Sequence, residues 1–345
     1  MEKEKEKIRV VCYGVGAVGT RIAKLLLEKD GIQIVGAIDV AQDKVGKDLG
    51  EILETRKKLG IIVSDDLDGV MKKACCNVVI HATGSYLKDV YPQIAPLAKY
   101  GVNVISTCEE LSYPYLSEPE LAKKLETLGV KYAMSFLGTG INPGFLMDTL
   151  VVTLTGVCQE IHKIKVERVM NAATRRIPFQ RKVGAGLTTA EFKKRMDTKQ
   201  ITGHVGLEQS IAMIAAALKW QLDEIQVETV KPVIAQQEVR SEAILVKKGQ
   251  VAGLKQIARG IMKHKDVITL DFQAYIGAKE EYDTITIDGV PPIHQKISPC
   301  VHGDLATVAI IVNSIPKVMN APPGLLTMKD LPVPSAAIED MRKYV

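Results

Sequence analysis

The feature that most constrains this chain is a glycine-rich turn between an apolar run and a helical pattern. The apolar run covers residues 8–13, and apolar residues recur at helical spacing after the turn. A strand, a glycine turn and a helix in this order let the backbone approach a pyrophosphate at a helix N-terminus. The order therefore predicts a dinucleotide-binding unit that contacts its cofactor through the turn. The predicted contact residues are Gly14, Gly16, Ala17, Val18 and Gly19.

An acidic residue ends the next apolar run, and its position bears on the choice of cofactor. Asp39 follows Gly19 by twenty residues, the spacing at which a carboxylate accepts hydrogen bonds from a ribose hydroxyl. Asp39 is therefore predicted to bind the cofactor and to favour NAD. Lys44 and Lys47 follow closely and would weaken the rejection of a 2′-phosphate, so the use of NADP stays open.

Short apolar runs alternate with helical patterns along the first 143 residues. This alternation predicts an α/β fold built on a doubly wound parallel sheet of the Rossmann type. Ligands of such sheets bind outside the carboxyl ends of the strands. Six further cofactor-binding residues are predicted at those ends: His81, Ala82, Thr83, Gly84, Thr107 and Asn142.

Two adjacent carboxylates, Glu109 and Glu110, follow the predicted strand 102–107, whose apolar residues are Val102, Val104 and Ile105. Two acids can simply complement the dipole of a helix start, but Pro114 interrupts the helical pattern here. The alternative is that one carboxylate lies beside the nicotinamide, has a raised pKa and exchanges protons with the substrate. Both glutamates are predicted as catalytic candidates, and their spacing does not choose between them.

From residue 144 the pattern changes to longer strands and separate helices. This change predicts a second, α+β domain over residues 144–302 that serves substrate binding and oligomerisation. An amphipathic segment at 303–319 is predicted as a helix that returns to the nucleotide-binding domain. That domain would then comprise residues 1–143 and 303–345.

Two capping boxes predict helix starts, one at Ser117 with Glu120 and one at Thr188 with Glu191. The glycine-rich stretch 183–187 precedes the second box. Free N–H groups in that stretch would cradle an anion such as a substrate carboxylate. An ordinary flexible loop that ends in a cap is the equal alternative.

Basic residues cluster where a long predicted strand ends. Arg168, Arg175 and Arg176 suit carboxylate recognition, because the planar guanidinium binds a carboxylate through two parallel hydrogen bonds. Solvated surface charge is the alternative for each of them. His204 lies between two glycines at a predicted helix start, where it would either line the substrate pocket or cap the helix.

Composition excludes several classes of protein. The 345 residues are 46% hydrophobic and 25% charged, which is globular, and no apolar run approaches the roughly 20 residues of a membrane span. The formal charge of +5 comes from mixed charges without a basic stripe, so neither nucleic acid nor membrane is an expected partner. Scattered histidines and cysteines predict no metal site. Because the N-terminus lacks a signal sequence, a cytoplasmic location is expected.

The chain resembles the 2,4-diaminopentanoate dehydrogenase family, in the dihydrodipicolinate reductase-like group that also includes amine dehydrogenases. The resemblance spans essentially the whole chain. The nucleotide motif VCYGVGAVGT is shared by many dehydrogenases, whereas narrower motifs carry the resemblance. These are STCEEL, GTGINPGF and the series ERVMNAATRR, GAGLTTAEF and GHVGLEQS.

The resemblance implies an NAD(P)-dependent oxidative deamination of a diamino acid or amine, foremost of 2,4-diaminopentanoate to 2-amino-4-oxopentanoate and ammonia. It also implies that Glu109 or Glu110 is the catalytic carboxylate and that the protein forms a homo-oligomer, a dimer. The predicted substrate-binding residues are Phe136, Ile141, Arg168, Asn171, Arg175, Thr188 and His204.

The chain also departs from its reductase relatives. Dihydrodipicolinate reductases carry paired histidines followed by lysine and a Ser-Gly-Thr-Ala helix start, where this chain reads ERVMNAATRR and GAGLTTAEF. The departure disfavours the first alternative function, a reductase of dihydrodipicolinate or homoserine type. The second alternative is a non-catalytic redox sensor that binds dinucleotide.

Overall fold

Residues 6–345 are described by a computed structural model, in which the chain divides into two units. The first contains the chain up to Phe145 together with Gly303–Val345, and the second contains Leu146–His302. Within the described residues, none of the helices has both the length and the apolar character that a membrane span requires.

Seven parallel strands form the sheet of the first unit, in the order β16-β6-β5-β4-β1-β2-β3. The chain starts in the middle and winds outward in both directions, which confirms the predicted doubly wound sheet. The strands are β1 (Ile8–Tyr13), β2 (Ile32–Ile38), β3 (Val63–Ser64), β4 (Val78–His81), β5 (Asn103–Ser106), β6 (Ser135–Gly138) and β16 (Gly324–Leu326). The helices are α1 (Gly19–Leu27), α2 (Leu49–Ile52), α3 (Leu67–Ala74), α4 (Leu87–Ile94), α5 (Pro119–Lys131) and α10 (Gly303–Met319).

Burial on both faces explains why these strands are continuous apolar runs. Every residue of β4 and β6 is buried, as expected for parallel strands covered on both sides. Phe136 in β6, predicted as a substrate residue, is completely enclosed and pairs in register with Val104 and Leu325. It is therefore a core residue and not part of a pocket wall.

A second seven-stranded sheet, of mixed direction, organises the second unit. Six strands run in the order β15-β14-β7-β13-β12-β8, and β9 also pairs with β12. The strands are β7 (Glu160–Asn171), β8 (Glu224–Val227), β9 (Lys231–Ile234), β12 (Val251–Met262), β13 (Lys265–Tyr275), β14 (Tyr282–Val290) and β15 (Ile293–Ile297), with a separate pair β10 (Val239–Arg240) and β11 (Leu245–Val246). The helices are α6 (Thr149–Thr155), α7 (Ile177–Lys182), α8 (Thr189–Asp197) and α9 (Leu207–Leu218).

The two predicted capping boxes have different outcomes. The side chain of Thr188 accepts from the Glu191 N–H and the Glu191 side chain accepts from the Thr188 N–H, so this box is confirmed at the start of α8. The box at Ser117 is wrong, because α5 starts at Pro119 with Glu118 as its N-cap. Proline has no N–H and is favoured at the first helical position, which fixes the start two residues after Ser117.

Candidate active site

The carboxyl ends of the parallel strands bring the predicted cofactor residues to one edge of the first sheet. Loops leave this edge after β1, β2, β4, β5 and β6. Hydrogen bonds join neighbouring loops there: the Gly14 N–H donates to the Ile38 carbonyl at 2.7 Å, and the Ala82 N–H donates to the Tyr13 carbonyl at 2.7 Å. The edge is therefore one connected surface.

The three motif glycines meet different steric demands. Gly14 has φ +91°, and a Cβ there would lie 2.5 Å from the Ala82 carbonyl oxygen. A Cβ on Gly19 would lie 1.8 Å from the Gly14 carbonyl oxygen, so both residues are needed for packing. Gly16, in contrast, faces open space, with nothing within 4 Å of a Cβ. This is the space that a pyrophosphate would require.

The N-terminus of α1 completes the cradle. Its N-cap, Val18, makes no side-chain cap hydrogen bond, and Ala17 is exposed beside it. Backbone N–H groups at such a helix start bind phosphate. The turn therefore fits the pyrophosphate of a dinucleotide by its open space and its donors.

Asp39 lies at the end of β2 and is fixed towards the glycine turn. Its Oδ2 accepts from the Val15 N–H at 2.8 Å and from Lys44 Nζ at 3.2 Å, and its Oδ1 accepts from the Ala41 N–H at 2.9 Å. Burial raises the pKa of this carboxyl, but the hydrogen bonds from Ala41, Val15 and Lys44 outweigh burial, so the pKa lies below its ordinary value. Asp39 is thus an ionised acceptor with a cation beside it.

The loop after β5, which carries the two glutamates, is bonded to the loop between β4 and α4. The Thr107 N–H donates to the His81 carbonyl at 3.0 Å, and the Glu110 N–H donates to the Ser85 carbonyl at 3.1 Å. The Cys108 thiol also donates to the Ser85 carbonyl, at 3.2 Å. Burial raises the pKa of this thiol to about 12, so it stays protonated as a donor.

The two glutamate side chains have different positions in this arrangement. Glu110 Oε2 accepts from the Leu87 N–H at 2.7 Å, at the first residue of α4. Its carboxylate therefore satisfies a helix N-terminus. Glu109 precedes it at the N-cap of a short 3₁₀ helix, is half-buried, and fixes its backbone by accepting from the Ser112 N–H and hydroxyl. The two glutamates therefore differ in their contacts: Glu110 accepts through its carboxylate, whereas Glu109 accepts through its backbone carbonyl.

His81 lies inside the sheet edge and not at its surface. Its ring is fully buried, with Nδ1 2.9 Å from Ser106 Oγ and Nε2 2.9 Å from both Gln93 Oε1 and Thr83 Oγ1. Burial lowers the pKa of His81 from 6.5 to about 4, so the ring is neutral. The unfolded chain takes up a proton that the folded chain does not, so this group costs stability as the pH falls from 6.5 towards 4. Because the ring is enclosed, it can affect a bound nucleotide only through the residues that it contacts.

A tight turn follows β6 and carries the predicted residues Ile141 and Asn142. The Ile141 N–H donates to Thr307 Oγ1 of α10 at 3.4 Å, and the Asn142–Pro143 peptide bond is cis. Gly144 has φ +125°, and a Cβ there would lie 2.4 Å from the Gly140 nitrogen. Both predicted residues are half-buried at the carboxyl end of β6.

In the second unit, Arg168 is committed to an internal ion pair. The side chain is 1% exposed, donates to Asp283 Oδ1 at 2.6 Å and donates to the Val301 carbonyl at 2.6 Å. Asp283 Oδ2 accepts from the Val301 N–H at 2.8 Å. The predicted substrate contact of Arg168 is therefore replaced by a structural one, because burying a charge demands a partner inside the protein.

Three further predicted substrate residues of this unit lie at the end of β7 or on the segments that follow it. Asn171 Oδ1 accepts from the Ala173 N–H at 3.0 Å and the Gly277 N–H at 3.2 Å. Arg175 is buried with its guanidinium 4.9 Å from the centre of the Phe179 ring. The Thr188 hydroxyl is engaged in its capping box.

The predicted anion cradle at 183–187 is wrong. The N–H groups of Gly184, Ala185, Gly186 and Leu187 donate to the carbonyls of Arg181, Gln180, Val251 and Gly184. The Thr188 N–H donates to the Glu191 carboxylate. These N–H groups already donate within the fold. Gly184 and Gly186 instead allow the backbone of the turn to adopt φ values of +81° and +85°.

Two residues that hold His204 were not among the sequence predictions. The His204 ring stacks on Phe272 with 4.5 Å between ring centres, and the backbone N–H of His204 donates to Gln256 Oε1 at 2.8 Å. Phe272 and Gln256 are direct neighbours across β13 and β12. A buried glutamine at an apolar position of an alternating strand is the signal that identifies such a residue.

The fold and the glycine cradle define a dinucleotide-dependent dehydrogenase. Residues 145–345 match the family model of the 2,4-diaminopentanoate dehydrogenase C-terminal domain, and residues 8–109 match that of the dihydrodipicolinate reductase N-terminus. The chain belongs to the 2,4-diaminopentanoate dehydrogenase family. It is an oxidoreductase that acts on a CH–NH₂ group with NAD(P).

Individual relatives agree with this assignment. A 2,4-diaminopentanoate dehydrogenase of Acetoanaerobium sticklandii is 36% identical over 99% of this chain and 98% of its own length. The structure of an amine dehydrogenase from Mycobacterium smegmatis matches with a TM-score of 0.82 at 30% identity, covering 96% of this chain and 98% of that one. The structure of a dihydrodipicolinate reductase from Paenisporosarcina sp. TG-14 shares only the fold. It matches at 12% identity with a TM-score of 0.53, and the match covers 94% of this chain and 98% of that one.

The position of Glu110 predicts a stability effect. Glu110→Ala removes the acceptor of the Leu87 N–H, so we expect the free energy of unfolding to fall by about 1 kcal/mol. Glu110→Gln keeps an oxygen acceptor and should retain most of that stability. Urea denaturation of the two variants measures the difference, and equal stabilities would show that this hydrogen bond contributes nothing.

Proposed function

We propose that this protein catalyses the oxidative deamination of 2,4-diaminopentanoate to 2-amino-4-oxopentanoate, with Glu109 as the base. The observation that carries the proposal is the division of labour between two adjacent carboxylates at the cofactor edge. Glu110 holds the N-terminus of α4, while the backbone of Glu109 is fixed by Ser112. A fixed loop supports the proposal, because a proton acceptor has to be held in a defined position.

Protonation of the substrate determines what Glu109 has to do. A protonated amine has no lone pair, so its carbon cannot release hydride until the nitrogen loses a proton. Glu109 takes this proton and releases it to solvent, and the amine carbon then loses hydride to form an iminium. Glu109 next takes a proton from the water that adds to the iminium carbon and passes it to the carbinolamine nitrogen. The C–N bond breaks, ammonia leaves, and the hydroxyl loses its proton as the carbon becomes a carbonyl. NAD(P), when bound, supplies the hydride acceptor.

Residues at the carboxyl-end edge of the first sheet would hold the cofactor during this reaction. The turn at Gly16 and the N-terminus of α1 fit the pyrophosphate, and Asp39 fits the ribose.

Replacement of Glu109 tests the proposal. Glu109→Gln should lower kcat by about 10²–10⁴, the usual contribution of a positioned proton acceptor, while NADH binding followed by fluorescence stays unchanged. Glu110→Gln is the matched control and should keep kcat within about tenfold, because its amide oxygen still accepts from Leu87. Near-native turnover by Glu109→Gln would remove the proposed role.

The substrate itself is tested by a panel. NAD reduction should be fastest with 2,4-diaminopentanoate and slower with simple amines. Turnover of dihydrodipicolinate or of homoserine-type intermediates instead would favour the reductase alternative. Tight NAD binding without turnover of any amine or carbonyl would favour the sensor.

The pair of Lys44 and Asp39 predicts the cofactor preference. We propose that NAD is preferred because the ionised Asp39 repels a 2′-phosphate, and that Lys44, 3.2 Å away, weakens the repulsion. Lys44→Ala should therefore lower kcat/KM for NADP relative to NAD by about fivefold, which corresponds to about 1 kcal/mol for a partly exposed ion pair. Lys47→Ala is the control, since Lys47 is exposed. An unchanged ratio in Lys44→Ala would contradict this account.

We propose that the polar face of the second sheet forms a homodimer. This face carries charge pairs, Lys255 with Asp271 at 2.8 Å and Lys165 with Glu167 at 2.9 Å. The Thr284 hydroxyl on the same face is buried and has no hydrogen-bond partner among residues 6–345. The charge pairs of a second copy would match the alternating charges of this face.

Light scattering on the purified protein measures this association. The wild type should have the mass of two chains, and Thr284→Arg should shift it towards one chain by placing an unpaired charge in the interface. Thr174→Arg, at an exposed position outside this face, is the control. A wild-type mass of one chain would contradict the proposal.

A further inference from the structure

Two polar side chains are buried at the carboxyl-end edge of the first sheet. His81 and Ser106 lie opposite each other at the ends of β4 and β5, and both are completely enclosed. Thr83, which is exposed, and Gln93, which is half-buried, contact the outer side of the imidazole. Buried polar groups cost free energy unless each is satisfied, so the arrangement of their protons is constrained.

The hydrogen-bond partners determine the tautomer of His81. Gln93 Oε1 only accepts, so His81 Nε2 carries the proton, shared between Gln93 Oε1 and Thr83 Oγ1 at 2.9 Å each. The Thr83 hydroxyl donates to Gln93 Oε1 at 2.7 Å. His81 Nδ1 is then an acceptor, and Ser106 Oγ donates its proton to it at 2.9 Å.

The orientation of the Ser106 hydroxyl has a consequence for the next loop. Because its proton points to His81, its lone pairs face the Cys108 N–H, which donates to Ser106 Oγ at 3.1 Å. Cys108 directly precedes Glu109. The imidazole is therefore connected through a single hydroxyl to the backbone of Cys108, the residue before the proposed base.

We propose that His81 is a positioning residue, which acts through Ser106 to orient the Cys108 peptide and thereby the carboxylate of Glu109. The inference rests on the proposed function of Glu109. The outer contacts to Thr83 and Gln93 tie the same ring to α4, so the two edges of the imidazole have separate tasks. The Nδ1 edge serves the catalytic loop, and the Nε2 edge serves the helix.

Two amide replacements separate these tasks. An asparagine side chain presents its oxygen near the position of His Nδ1, so His81→Asn keeps an acceptor for Ser106. A glutamine side chain presents its nitrogen near the position of His Nε2, so His81→Gln keeps a donor for Thr83 and Gln93 but loses the acceptor for Ser106. Both variants remove the ring from the core, so each is the matched control of the other.

The measurement is steady-state turnover of the full chain with 2,4-diaminopentanoate and NAD, beside urea denaturation. We expect His81→Gln to lower kcat by about 10- to 100-fold, since misplacing a reacting group by about 1 Å has effects of this size. The KM for NAD should stay unchanged. His81→Asn should keep kcat within about threefold, even if both variants lose similar stability.

Equal kcat values for the two variants, or a loss confined to the KM for NAD, would overturn the positioning role. The Glu109→Gln background separates this result from the proposed function. If Glu109 is the base, adding His81→Gln to Glu109→Gln should lower kcat little further. Near-native kcat in Glu109→Gln alone would reject the base, whereas a large loss there with equal His81 variants would reject only the positioning.

Discussion

The hydrogen bonding between the loop after β5 and the loop after β4 is the constraint on which the site depends. Thr107, Cys108 and Glu110 all bond to residues 81–87. The bonds made by the Cys108 thiol and the Glu110 carboxylate are partly buried. Together these bonds restrict the backbone on both sides of Glu109. A base that loses no conformational freedom during the reaction is more effective than one on a mobile loop.

The parallel sheet makes this bonding possible. Adjacent parallel strands end at the same edge, so the loops after β4 and β5 start side by side, with His81 opposite Ser106. The glycine turn after β1 belongs to the same surface, because Gly14 packs against the Ala82 carbonyl. The cofactor cradle and the carboxylates are thus positioned by one sheet edge, as ligand sites of this architecture generally are.

Sequence alone predicted those features that follow from chain order. The glycine spacing, the strand before it and Asp39 are local, and parallel pairing then carries them to one edge. Phe136 and Arg168 were assigned to the pocket because side-chain type does not reveal which face of a strand is enclosed. The partner of Arg168, Asp283, lies 115 residues away. Long-range pairing of this kind leaves no signal in a short motif.

Glycines have different roles in two parts of the second unit. The stretch 183–187 suggested an anion site, but its N–H groups donate to carbonyls, one of them that of the distant Val251. In strand β12, Gly253 lies within a continuous strand, and a Cβ there would lie 2.0 Å from the Ala274 carbonyl oxygen. A glycine in a strand can therefore mark a site where another backbone approaches closely, and not only an interruption of the strand.

The central claim is that Glu109, and not Glu110, faces the nitrogen of the substrate. A crystal structure of the complex with NAD and 2,4-diaminopentanoate measures this most directly. We expect a carboxylate oxygen of Glu109 within about 3.2 Å of a substrate nitrogen, with Glu110 still bonded to the Leu87 N–H. A Glu109 carboxylate out of hydrogen-bond reach, with Glu110 released from α4 and turned to the amine, would contradict the account.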